Sequence, residues 1–277
     1  MRRPARTMLL GAFTAALLAA LATGAWIVAG PSPAQTAEEV LPVPPESPRL
    51  ADGPEVERCL GLLQTDPEGA RALAERWEAE GGGDGAKHCH ALAILALGDP
   101  PVAAERLEQL AAGSRAGGAA RAAVFAQAAQ AWLLAGLPTR AFAATTMALT
   151  LAPGDLDLLV DRAVALGALA RWREAIEDLD RALALDPDRP EPLVFRAAAW
   201  RHLDRADRAL RDIERALAVA PANPEALLER GILRHLGGQV DGARADWERV
   251  IEIAPDSPAA DLATQNLALS EAGPARR

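Results

Sequence analysis

Residues 156–189 read LDLLVDRAVALGALARWREAIEDLDRALALDPDR, and residues 190–223 read PEPLVFRAAAWRHLDRADRALRDIERALAVAPAN. Laid one over the other, they set Ala163 on Ala197, Ala175 on Ala209, Ala182 on Ala216, Leu185 on Val219 and Pro187 on Pro221. The same spacing continues in both directions. Prolines 153, 187, 221 and 255 mark a period of 34 residues, so residues 122–257 hold four copies. Ala141, Ala175, Ala209 and Ala243 stand twelve positions before those prolines, Ala148, Ala182, Ala216 and Val250 five, and Leu151, Leu185, Val219 and Ile253 two. A small residue also recurs 24 positions before each proline, as Ala129, Ala163, Ala197 and Gly231, where two helices have to approach closely.

That period with small residues at fixed offsets resembles the tetratricopeptide repeat, a helix-turn-helix unit. The resemblance implies an all-α fold, an α-solenoid of stacked hairpins in which each copy buries its apolar face against the next. In that family small residues at the eighth, twentieth and twenty-seventh places let the helices pack, and a proline at the thirty-second ends the second helix; all of these match here. The aromatic places depart. The eleventh is Trp132, Leu166, Trp200 and Arg234, and the twenty-fourth is Thr145, Leu179, Ile213 and Trp247. Volume is mostly kept, so Trp132, Trp200 and Trp247 are expected in the core. First helices should start near Ala122, Asp155, Arg189 and Asn223, and second helices near Pro138, Trp172, Ala206 and Gln239.

On either side the pattern loosens. Residues 55–121 read as degenerate helical hairpins capping the stack: Val56, Leu60 and Leu63 form one apolar stripe, and Pro67 opens a helix carrying Ala70, Leu73, Ala74 and Trp77. The glycine run 81–85 ends that hairpin; a third helix follows from about Ala86 to Leu97, and Asp99-Pro100 opens a fourth with Val102, Leu107 and Leu110. In residues 258–277, Asp261, Leu262, Leu267 and Leu269 make a last amphipathic helix, expected to cover the open apolar end, before a short tail.

Residues 1–34 carry Arg2, Arg3 and Arg6 and then an uncharged run through Leu9, Phe13, Leu21 and Trp26, the pattern of an export signal, with Ser32-Pro33-Ala34 as the cleavage site. The apolar run from Met8 to Ala29 is also long enough to remain as a membrane anchor. Both outcomes put the body outside the cytoplasm, in the periplasm or tethered to the inner membrane. Residues 35–54 are a proline-rich, semi-rigid linker. A functional alternative lays Leu41 to Leu50 in the groove of the repeats as a built-in ligand.

The whole chain has a formal charge of -9, and without residues 1–34 it keeps 26 basic against 38 acidic residues. A basic stripe for phosphate backbones is missing, which excludes nucleic acid as a partner. Within the repeats, Arg171, Arg173, Glu174, Glu177, Asp178 and Arg181 read as a solvated, salt-bridged outer face. No P-loop, dinucleotide fingerprint, zinc-protease helix, hydrolase elbow or calcium loop occurs, and no cofactor is implied.

The sharpest local oddity is Lys87-His88-Cys89-His90, with Cys59 the only other cysteine. As a metal site it fails on geometry, because His88 and His90 point about 200° apart on a helix. A nucleophilic Cys89 lacks an orienting acid and an oxyanion loop. A Cys59–Cys89 disulfide fits an exported protein better. A thiol or metal enzyme using Cys59, His88, Cys89 and His90 stands as the opposing hypothesis.

What remains is binding, by a protein without catalysis. The resemblance implies a concave groove lined by the second, fifth, ninth, twelfth and thirteenth places of each first helix. By position these include Asp157, Val160, Val164, Glu191, Val194, Ala198, Arg201, His202, Glu225, Leu228, Ile232 and His235, with Gln127 and Gln130 nearby. The floor is expected to be apolar and the rim mixed, with Arg201 as its fixed cation. Such a groove suits an apolar or amphipathic segment of another protein, in an envelope scaffold or a membrane-tethered assembly factor.

Overall fold

In the computed structural model residues 49–272 are described, and they belong to one unit. The expected export signal and nearly all of the expected linker lie outside them, as does the expected tail. Among the described residues the chain forms helices joined by short turns: α1 (Pro54–Thr65), α2 (Pro67–Ala79), α3 (Gly83–Ala96), α4 (Pro100–Gly113), α5 (Gly118–Leu134), α6 (Pro138–Leu151), α7 (Leu156–Ala168), α8 (Trp172–Leu185), α9 (Pro190–His202), α10 (Ala206–Val219), α11 (Pro224–Leu236), α12 (Val240–Ile253) and α13 (Pro258–Ala272). None of them is long and apolar enough to cross a membrane.

The helix boundaries follow from local chemistry. Asp66, Asp99, Asp155 and Asn223 each accept a hydrogen bond from a backbone N–H in the first turn of the helix they precede. Proline opens α1, α2, α4, α6, α9 and α11, where no helical N–H is lost. In the turns from α3 to α4, α5 to α6, α7 to α8, α9 to α10 and α11 to α12 one residue adopts a left-handed backbone: Gly98, Gly136 and Gly238, but also Ala170 (φ 56°) and Asp204 (φ 57°).

Each helix packs on the next, and the odd-numbered helices also touch along the stack: α1 on α3, α5 on α7, α7 on α9, α9 on α11 and α11 on α13. Among the described residues no comparable contacts join the even-numbered helices. The odd helices are therefore the crowded inner layer, and their free faces form the concave side. The core between the layers contains the expected alanines, Ala141, Ala175, Ala209 and Ala243, each at most 2% exposed.

Several expectations are corrected. Helix α5 begins a turn early, at Gly118, since nothing in Gly118-Ala-Ala-Arg121 breaks a helix and Arg121 donates from Nε to the Ala111 carbonyl at 2.7 Å. Helix α3 starts inside the glycine run, at Gly83. Gly82 and Gly85 both lie against Trp77, where an added Cβ would stand 2.4 Å and 2.9 Å from the ring. Helix α13 does cap the stack, through buried Ala259, Ala260 and Ala263 and through Leu267, which packs partly buried on the same core as expected; Leu262 and Leu269 of the expected stripe face outward. Small side chains let the helix approach more closely than leucines would.

Trp132 and Trp247 are buried, whereas Trp200 is only partly so, with the Arg208 guanidinium 4.5 Å above its ring. Asp178 does not belong to a solvated face either. It is buried and takes two hydrogen bonds from Arg162, at 2.7 and 2.6 Å. The same forked pair recurs one and two repeats on, as Arg196 with Asp212 and Arg230 with Asp246. Each joins the first and second helices of its own repeat. In the first repeat both places are alanine, Ala128 and Ala144, and both are buried.

Cys59 on α1 and Cys89 on α3 form a disulfide, their Cα atoms 6.0 Å apart. It ties the two innermost helices of the N-terminal end. Ahead of α1, Ala51 faces Val56, Gly85, His88 and Leu92, and Leu50 packs on the main core. Arg49 pairs with Glu57. Of the segment considered as a built-in ligand, only Arg49 and Leu50 are among the described residues.

Candidate binding surface on the concave side

The inner helices present their residues in register because each begins 34 residues after the last, at Leu156, Pro190 and Pro224. Not all of the expected lining is open. Val160, Val194 and Leu228 are at most 8% exposed and belong to the core clusters. The accessible surface is made instead by Asp157, Val164, Glu191, Ala198, Arg201, His202, Glu225, Ile232 and His235, with Gln127 and Gln130 on α5. Two residues outside the expected set join them, Asp161 and Phe195, the latter 38% exposed. They occupy the sixth place of their repeats, as Gln127 and Glu229 do in theirs.

This sixth place makes polar rungs between successive inner helices. His88 on α3 donates from Nε2 to Gln127 Oε1 at 2.5 Å. Gln130 on α5 hydrogen-bonds to Asp161 on α7. Arg201 on α9 binds both oxygens of Glu229 on α11, at 2.6 and 3.3 Å. The apolar Phe195 breaks the series midway. Arg201 is therefore not a free cation, since the carboxylate of the next helix already holds it.

The electrostatics of the middle of this face are lopsided. Asp155, Asp157, Asp161 and Glu191 come together at the α7 and α9 N-terminal ends. Arg189 bonds to Asp157 and Glu191, at 2.5 and 3.0 Å. Asp161 is partly buried, and desolvation, followed by repulsion from Glu191, Asp157 and Asp155, raises its pKa to about 7 against the opposing hydrogen bond from Gln130. Burial lowers the pKa of His88 despite its bond to Gln127. His202 is also lowered, by burial and then by Arg201, with Glu229 opposing. At the rim His202 stacks on Trp172, ring centroids 4.0 Å apart and planes 1° from parallel.

The four residues of the thiol or metal hypothesis do not converge. The two sulfurs are bonded to each other, His88 reaches forward to Gln127, and His90 lies against Glu78 on α2 at 3.0 Å.

A tetratricopeptide-repeat family model matches residues 195–268. The fold is similar to that of Pseudomonas aeruginosa pilF, with a TM-score of 0.58 at 17% identity over 77% of this chain and 95% of that one. It is also similar to a thermophilic tetratricopeptide-repeat protein of Thermus thermophilus, with a TM-score of 0.56 at 20% identity over 68% of this chain and all of that one. A repeat protein of Parabacteroides merdae superposes with a TM-score of 0.51 at 22% identity, covering 66% of this chain and 73% of its own. No curated protein matches by sequence. The four copies, the two-layer stack and the family model matched over residues 195–268 together show the tetratricopeptide-repeat fold, an architecture that suggests a scaffold for protein-protein interaction.

Proposed function

We propose that this chain is an exported, non-catalytic scaffold of the cell envelope that holds a segment of another protein against its concave side. The observation that carries this is Phe195. It is a large apolar side chain, 38% exposed, in the middle of an aligned row of inner helices whose neighbouring places are filled by polar rungs. An exposed aromatic ring on a rigid, concave surface is the kind of anchor that protein interfaces are built around. Export rests on the basic and apolar N-terminal sequence, and the Cys59–Cys89 bond agrees with an oxidising compartment.

Site-specific photocrosslinking in the native host tests the surface. A photoreactive phenylalanine at position 195 is expected to trap a discrete partner, and the same probe at Arg211 on the outer helix α10 is not. Equal capture at both places would overturn the assignment of the concave side. Fractionating those cells tests the location, and recovery of the protein from the cytoplasm would overturn export.

A further inference from the structure

The concave side carries more information than its shape. From α7 to α11 its carboxylates are Asp157, Asp161, Glu191, Glu225 and Glu229, and the guanidiniums among them are Arg189 and Arg201. Arg201 is consumed by Glu229, which is itself buried. Arg189 is shared between Asp157 and Glu191 and does not reach Asp161. The imidazole of His202 has its pKa lowered and stacks on Trp172, so it adds no compensating charge at neutral pH. Asp161 is thus left with a neutral amide, Gln130, as its polar partner and with like charges around it. Next to it, one repeat along, lies the exposed ring of Phe195, with Val164 and Ala198 also accessible on α7 and α9.

Carboxylates crowded in this way repel one another, and a cation placed among them relieves each repulsion at once. An acidic segment, a phosphate backbone or an anionic lipid surface would add like charge to the same place and is disfavoured. Adjacent inner helices lie about 10 Å apart, which sets the distance between the Asp161 and Phe195 sites.

Building on the scaffold function proposed above, we infer that the occupant of this face is a cationic, amphipathic segment of another protein. A Lys or Arg side chain sits among Asp157, Asp161 and Glu191, and an apolar side chain about 10 Å further along covers Phe195. The acidic end selects the charge of the partner and speeds its encounter; the ring contributes the buried area.

The experiment is selection of random short peptides by display against the purified protein, followed by affinity measurements on the enriched peptides. The expected pool is rich in Lys or Arg together with Leu, Ile or Phe. Its best member should lose about tenfold in affinity on Asp161→Asn and at least as much on Phe195→Ser. Peptides that need Phe195 but are neutral or acidic and indifferent to Asp161→Asn would overturn the charge assignment and leave the groove in place. Binders indifferent to both substitutions, or no binders at all, would overturn both. If the protein self-associates and Phe195→Ser disperses the oligomer, a second copy is the occupant and the inference falls.

Discussion

Trp247 occupies the space that a Cβ on Gly231 would need: the added atom would stand 2.3 Å from the indole Nε1 and 2.6 Å from Cδ1. The other repeats have alanine at the place of Gly231 and Thr145, Leu179 or Ile213 at the place of Trp247. One large side chain is thus accommodated by one missing methyl group. Gly231→Ala is expected to destabilise by about 1 to 3 kcal/mol through overpacking, although alanine is the better helix former. Adding Trp247→Leu should recover much of that loss. Denaturant unfolding of the single and double variants checks it, and a fully additive cycle would refute the coupling.

The buried Arg196–Asp212 fork invites a similar comparison. Asp212→Ala leaves Arg196 with only the exposed Asp180, at 2.6 Å, and is expected to cost about 3 kcal/mol. Replacing both residues by alanine, as in the first repeat with Ala128 and Ala144, should cost less than the single change. A double variant weaker than Asp212→Ala would show that the pair is needed for more than mutual neutralisation.

Ala170, at φ 56°, holds a left-handed turn that glycine fills in the equivalent turns at Gly136 and Gly238. Its side chain opposes that backbone. Ala170→Gly should therefore stabilise by about 1 kcal/mol, opposite to the usual effect of glycine, and raise the melting temperature. A lower melting temperature would mean that the methyl group contributes packing outweighing the strain.

Asp161 makes stability depend on pH in a direction unusual for a carboxylate. Its folded pKa, about 7, lies above the ordinary 3.8, so the folded state binds the proton more tightly than the unfolded chain. The contribution is fully present below roughly pH 4 and is lost as pH rises through about 7. Asp161→Asn should match wild type most nearly in acid and exceed it in stability at pH 8. Urea unfolding of both proteins across that range decides it, and a pH-independent difference would place the effect elsewhere.

The fold was legible because the period of the chain is also the period of the stack, so Ala141 and its three counterparts fall at the same contact in every copy. The pairing of Cys59 with Cys89 was legible from their lack of other partners and of catalytic companions. The make-up of the candidate concave surface was less so. Carrying over a fixed set of places omitted the sixth, though Gln127, Asp161, Phe195 and Glu229 follow one another at 34-residue steps. Burial of Val160, Val194 and Leu228 in the core clusters depends on how the helices pack, which spacing along the chain does not encode. The Arg162–Asp178 fork was hidden by its surroundings, since charges alternating along a helix look alike whether solvated or facing inward. Its recurrence at the repeat period was the signal that separates the two.

A stacked array is held only by neighbours, so each of its ends has support on one side and opens first. Here the two ends are unequal. The Cys59–Cys89 bond links α1 to α3 across a separation of 30 residues, while α13 is held without a covalent tie by small alanines and Leu267, with Leu262 and Leu269 in solvent. Unravelling should therefore begin at the C-terminal end and travel inward, reaching the acidic middle of the concave side before the fastened hairpin. Amide hydrogen exchange should report this polarity as fast exchange in α13 and α12 and slow exchange in α3, and reduction of the disulfide should abolish the asymmetry.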